Sequence, residues 1–107
     1  MSHFDYQNYS QDQEGLFELI EDAAKYDLEE LDLSFWKIEV LPDEIQTLSQ
    51  LYYLNLEGNK LKLLPNGLCN LVNIREIILS DNLLHELPEN FHKLQKLEGL
   101  YLSRNNF

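Results

Sequence analysis

Apolar residues recur along residues 28–107 with a period of 23. Residues 28–50 (LEELDLSFWKIEVLPDEIQTLSQ), 51–73 (LYYLNLEGNKLKLLPNGLCNLVN) and 74–96 (IREIILSDNLLHELPENFHKLQK) align without insertion or deletion, and a fourth copy opens at Leu97 (LEGLYLSRNNF). The shared frame is LxxLxLxxNxLxxLPxxLxxLxx. It sets Leu31, Leu54, Ile77 and Leu100 in register, and likewise Leu33, Leu56, Leu79 and Leu102. Alternation within each LxL predicts a short strand with its leucines on one face. Proline in the recurring pairs Leu41-Pro42, Leu64-Pro65 and Leu87-Pro88 ends backbone pairing and starts a return segment. The apolar pairs Ile45/Leu48, Leu68/Leu71 and Phe91/Leu94 then close the core from the far side. A single unit cannot bury its own leucines, so the pattern predicts stacked units with strands pairing in parallel. Asn59, Asn82 and Asn105 fall at one offset, which predicts amides that bond the backbone of adjacent turns.

Upstream the period changes. Over residues 12–26, Leu16, Phe17, Leu19, Ile20, Ala23, Ala24 and Tyr26 occupy one half of a 3.6-residue wheel, and Glu14, Glu18, Glu21, Asp22 and Lys25 the other. Ser10-Gln11-Asp12-Gln13 fits a capping box, and the early acids suit a helix N-terminus. Residues 11–27 are therefore expected to form a capping helix over the open edge of the first strand. The rival is a helix that binds a partner or a membrane surface, and its acidic polar face argues against the membrane. Residues 1–10 contain Gln, Asn, Ser and three aromatics without periodicity, and are expected to be a flexible tail. Repeat one carries Trp36, preceded by Phe35, where the frame has Asn. The two aromatics either pack against the cap or anchor a ligand.

These residues resemble the leucine-rich repeat family, and the LPxxLxxL half is similar to its 23-residue intracellular class. The resemblance covers residues 28–107. It implies an α/β leucine-rich repeat solenoid with an N-terminal capping helix, about three and a half repeats and a short parallel sheet on the concave face. Residues 18–34 (ELIEDAAKYDLEELDLS) look like the opening of bacterial, especially cyanobacterial-type, proteins of that family. Some of these continue into Ras-like GTPase modules of the Roco type, but no GxxxxGK[ST] phosphate loop occurs in these 107 residues.

Charge narrows the partners. Lys and Arg number 8 and Asp and Glu 19, for a net charge of −11. The excess lies in residues 1–50, with 13 acids and 2 bases, whereas residues 51–107 hold 6 of each. Such a surface either keeps the chain soluble or steers a basic partner, and it repels the phosphates of nucleic acid. No stretch approaches the ~20 apolar residues of a membrane span, and the start lacks a secretory pattern. The lone Cys69 precludes an internal disulfide and fits a reducing, cytoplasmic setting.

Candidate chemistry is sparse. His3, His85 and His92 match neither HxxxH nor HExxH spacing, and Cys69 has neither a second cysteine nor an oriented base. Neither catalysis, a metal nor a cofactor is expected. Recognition falls to the outward strand positions. In columns these read Glu30, Tyr53, Glu76 and Gly99; then Asp32, Asn55, Ile78 and Tyr101; then Ser34, Glu57, Ser80 and Ser103. Tyr53, Ile78 and Tyr101 among acids make an apolar centre with an anionic rim, which suits a basic or mixed peptide. The alternative is scattered surface apolars with no partner. Four strands at ~4.8 Å spacing give a face ~14 Å long, far short of the ~800 Å² per partner of a standard interface. The fourth copy gives Leu97, Leu100 and Leu102 a neighbour on one side only, which predicts either self-association through that edge or a longer array. The expected function is a non-catalytic protein–protein interaction module. The alternative is a docking or regulatory part of a larger signalling protein such as a Roco-type GTPase.

Overall fold

Each LxL segment contributes one three-residue strand in the computed structural model, which describes residues 4–107 and so leaves His3 outside the described residues. The strands are β1 Glu30–Asp32, β2 Tyr53–Asn55, β3 Glu76–Ile78 and β4 Gly99–Tyr101. They form one parallel sheet in the order β1-β2-β3-β4. The register follows the repeat, with Leu31 beside Leu54, Ile77 and Leu100. Pro42, Pro65 and Pro88 stand at the entry to 3₁₀ return segments, Asp43–Thr47, Asn66–Asn70 and Glu89–Lys93. A proline suits that entry, because its fixed φ leads into the turn and no amide is left without a partner. Between strands and return segments most of the leucines of the first three repeats are buried in one cluster with Leu16, Leu19, Ile20 and Ala23 of the helix. Leu28 and Leu87 are half-buried against it, and Leu63 and Leu83, off the repeat frame, are exposed.

The asparagines close the turns between repeats. Asn59 Oδ1 accepts from the amides of Trp36 (3.1 Å) and Ile38 (2.8 Å), while its Nδ2 donates to the carbonyls of Leu33 and Leu56. Asn82 and Asn105 repeat the arrangement, accepting from the Leu61 and Leu84 amides. Each side-chain oxygen thus reaches back to the preceding repeat. The helix precedes repeat one, so an Asn at position 36 would have no repeat turn behind it to serve. Trp36 takes the position and is buried instead.

A second column carries a backbone requirement. Phe35, Gly58, Asp81 and Arg104 share one offset, and all four are left-handed, with φ of 57°, 70°, 58° and 54°. Only Gly58 adopts that conformation without steric cost. The exposed Phe35 ring lies over Gly58, in space that a Cβ there would fill. Further along, Arg104 donates to the Asp81 carboxylate at 2.6 and 2.8 Å, which holds that carboxyl below its usual range.

The amino-terminal end departs from expectation in two respects. Helix α1 spans Gln13–Lys25 and starts at Asp12, not at Ser10, because the Asp12 side chain accepts from the Gly15 amide at 2.8 Å. Ser10 supports this cap by donating to the same carboxylate. Residues 4–10, expected as a flexible tail, fold back on the domain, and Phe4, Tyr6 and Tyr9 pack against the core. The Phe4 ring meets Tyr6 edge-on at 5.1 Å and stacks with Tyr9 at 5.7 Å. Tyr9 donates to Asp22 of the helix at 2.5 Å. Tyr6 accepts from the Asp32 amide at 3.1 Å, so a tyrosine hydroxyl closes the free side of β1. At the other end Leu97, Leu100 and Leu102 are half-buried.

Candidate interaction surface

The register sets Glu30, Tyr53, Glu76 and Gly99 in one row across the sheet, and Asp32, Asn55, Ile78 and Tyr101 in the next. Glu30, Asp32 and Tyr101 are exposed, while Tyr53, Asn55, Glu57, Glu76 and Ile78 are half-buried by their neighbours. Seven of the eight residues picked out from the sequence as concave contacts therefore lie in these two rows, and the eighth, Glu57, follows β2 just past its end, yet they are not equally free. Asp32 Oδ1 accepts from the backbone amide and hydroxyl of Ser34, and Asn55 Oδ1 accepts from the Glu57 amide. Both side chains are partly spent on closing the strand ends.

Tyr101 does not stand out from the face. A Cβ on Gly99 would lie 3.3 Å from its ring and 3.4 Å from Cγ of Glu76, so the ring lies over the bare glycine beside that glutamate. Hydrogen bonding to the Glu76 carboxylate, then the carboxylate's charge, pushes the Tyr101 phenol up. Ser80 is buried and accepts from Ser103 at 3.0 Å. What remains open is Glu30, the second carboxylate oxygen of Asp32, the outer side of the Tyr101 ring and, in part, Glu57, the Tyr53 ring and the aliphatic side chain of Ile78.

Sequence reading missed two contributors. Tyr6 borders the face through its bond to Asp32, and burial, ahead of the nearby charges of Asp32 and Glu30, raises its phenol. Its signal was the aromatic spacing Phe4, Tyr6, Tyr9, which suits one side of a folded turn. The second is a groove of about 440 Å³ at the start of the strands, lined by Glu29, Gln50, Tyr52, Asn73, Arg75 and Lys96. Burial, and then Glu30, raises the Tyr52 phenol.

Other candidates lie apart from this face. Trp36 is buried and lines, with Gln11, Asp12 and Leu16, a 240 Å³ cleft at the helix start. Cys69 is buried in the second return segment, which raises its thiol above the ordinary value. His85 stands 3.6 Å from Glu86 on an exposed turn, and His92 Nδ1 lies 3.2 Å from the Glu89 carbonyl. Among the described residues no three His, Cys, Asp or Glu side chains converge as metal ligands do, and no helix is long and apolar enough to cross a membrane.

Comparison with known proteins adds the lineage. A family model described as leucine rich repeat matches residues 26–84. The structure is similar to that of the leucine-rich repeat protein LIC12759 of Leptospira interrogans, with 33% identity and a TM-score of 0.75 over 87% of this chain and 22% of that one. The leucine-rich repeat domain of APL1B shares the fold at 22% identity, with a TM-score of 0.63 over 98% of this chain and 36% of that one. This chain thus spans between about a fifth and just over a third of those two. No curated protein matches it. Repeat frame, parallel sheet and family model agree, and the chain belongs to the leucine-rich repeat family.

Proposed function

We propose that this domain is a non-catalytic module that binds a basic, extended peptide segment of a protein partner across its concave face. One observation carries the reading: the twelve outward strand positions hold four carboxylates, Glu30, Asp32, Glu57 and Glu76, and no base, around the half-buried Tyr53 and Ile78. Charge complementarity of this kind speeds encounter and selects among partners. The small face favours a peptide over a globular surface, since an extended chain at ~3.3 Å per residue crosses ~14 Å of sheet in four or five residues.

Selection from a random dodecapeptide library on the immobilised domain tests this. Recovered peptides enriched in Arg and Lys, whose binding is lost in Tyr53→Ala/Glu57→Gln, support the reading. Recovery of no binder, or of binders indifferent to that variant, overturns it. A second reading, docking within a larger signalling protein such as a Roco-type GTPase, uses the same surface. It is distinguished by whether the recovered sequences occur in the neighbouring domains of the full-length chain. Self-association through the half-buried leucines of repeat four is checked by light scattering across a concentration range.

A further inference from the structure

The groove at the strand starts carries the opposite charge to the face beside it. Arg75 and Lys96 line it with the amides Gln50 and Asn73 and the ring of Tyr52. Lys96 Nζ donates to Asn73 Oδ1 at 3.0 Å, and Asn73 Nδ2 donates in turn to the Ser49 carbonyl at 3.0 Å. A neutral amide, itself anchored to backbone, therefore holds the ammonium in place without cancelling its charge. Glu76, next to Arg75 in the chain, lies over Gly99 beside the Tyr101 ring. Glu98 shares the Arg75 column, but among the described residues no carboxylate lies within ion-pair distance of Arg75 or Lys96. The remaining acid of the groove, Glu29, stands at the β1 end, two repeats away from Arg75, with Tyr52 between.

We propose that this groove recognises an acidic side chain of the same peptide, so that the domain reads an ordered charge pattern rather than overall basicity. The inference rests on the concave-face reading. Basic residues of the peptide lie over Glu30, Asp32 and Glu57 toward β1 and the strand ends. The Asp or Glu crosses to Arg75 and Lys96 at the start of β3 and β4. A guanidinium takes a carboxylate in a two-point bond, and the held ammonium adds a second cation without losing much rotamer freedom. A purely basic peptide is repelled at this end and a purely acidic one by the rest of the face, so each supplies discrimination against the wrong partner.

The same dodecapeptide selection, run in parallel on the wild-type domain and on Arg75→Glu/Lys96→Glu, separates the two claims. The expected result is wild-type binders with Arg or Lys in one half and a single acid several residues away, and loss of that acid in peptides selected on the charge-reversed domain. For one such peptide, replacing its acid by the amide should weaken binding about two- to fivefold on wild type and leave it unchanged on Arg75→Gln/Lys96→Gln. Basic binders with no positional acid, or an acid whose removal costs the same on both domains, overturn the groove assignment and leave the concave face standing. A library that yields no basic binder overturns both. Circular dichroism of the variants controls for folding, which surface changes at Arg75 and Lys96 should leave intact.

Discussion

The two ends of the solenoid are written in the same repeat code and treated differently. At the amino-terminal end Leu31 and Leu33 are fully buried, in one cluster with Leu54 and Leu56 of repeat two and with Leu16, Leu19, Ile20 and Ala23 of α1. At the carboxyl-terminal end Leu100 and Leu102, in the same register, are half-buried. The edge of β1 has its Asp32 amide satisfied by Tyr6, from a segment outside the repeats. The comparison teaches that a repeat position carries no fixed energetic weight. Its value depends on what packs against both sides, which is the nearest-neighbour logic of stacked repeats.

Truncations at matched positions break this comparison most strongly. Leu31→Ala should cost about 2–5 kcal/mol in chemical denaturation, the usual range for a fully buried leucine, and Leu100→Ala clearly less. Equal losses would mean that the two ends are covered alike. The asparagines follow. Asn82→Ala strands the buried Leu61 amide, at about 1–3 kcal/mol, while the Leu56 and Leu79 carbonyls each lose one donor and keep Asn59 and Asn105. Asn105→Ala, in a more exposed turn, should be milder by the same measurement.

Gly58→Ala tests the left-handed column at the end where Phe35 sits. The new Cβ meets the Phe35 ring at a φ that already costs about 1–2 kcal/mol for a non-glycine residue. Adding Phe35→Ala should restore the part of the loss due to the ring and leave the part due to φ. A double mutant as unstable as Gly58→Ala alone would show that the ring is not the obstacle. Tyr6→Phe removes the acceptor for Asp32 N–H and should cost about 0.5–1.5 kcal/mol, with Asp32 showing faster amide exchange than its neighbours. Unchanged exchange at Asp32 would refute the strand-edge role.

The smallest effect is a pH dependence. Burial, and then the bond to Asp22, pushes the Tyr9 phenol up to about 12, against an ordinary value near 10. The folded state thus holds a proton that the unfolded chain loses first. This contribution is present in full below pH ~10 and is lost as pH rises toward ~12. Tyr9→Phe should flatten part of the decline in thermal midpoint over that window. An identical slope in the variant would place the proton elsewhere.

Most of the fold was legible because a 23-residue period states the same solution four times. The placement of Leu54, Leu56 and Asn59 follows from alternation, stacking and the need to satisfy a buried turn, and none of these depends on distant residues. The candidate face was legible as a set of positions, since strand alternation decides which side chains point outward. Its working shape was not. That Tyr101 lies over Gly99, that Asp32 and Asn55 serve their own turns, and that Lys96 is held by Asn73 depend on contacts between residues 2 or 23 positions apart, with no composition signal.

The amino-terminal segment marks the same boundary. Phe4, Tyr6 and Tyr9 have no period, and local propensity reads them as tail. Only the assembled helix, with Asp22 turned toward Tyr9, and the unpaired edge of β1 give them partners. By itself the sequence determined the solenoid, its register and the acidic outward columns, because repetition and side-chain alternation are local rules. Tertiary structure alone decided which outward groups remain free, where the cationic groove opens and how the first strand is closed. Those outcomes depend on which polar atoms find partners once distant segments meet.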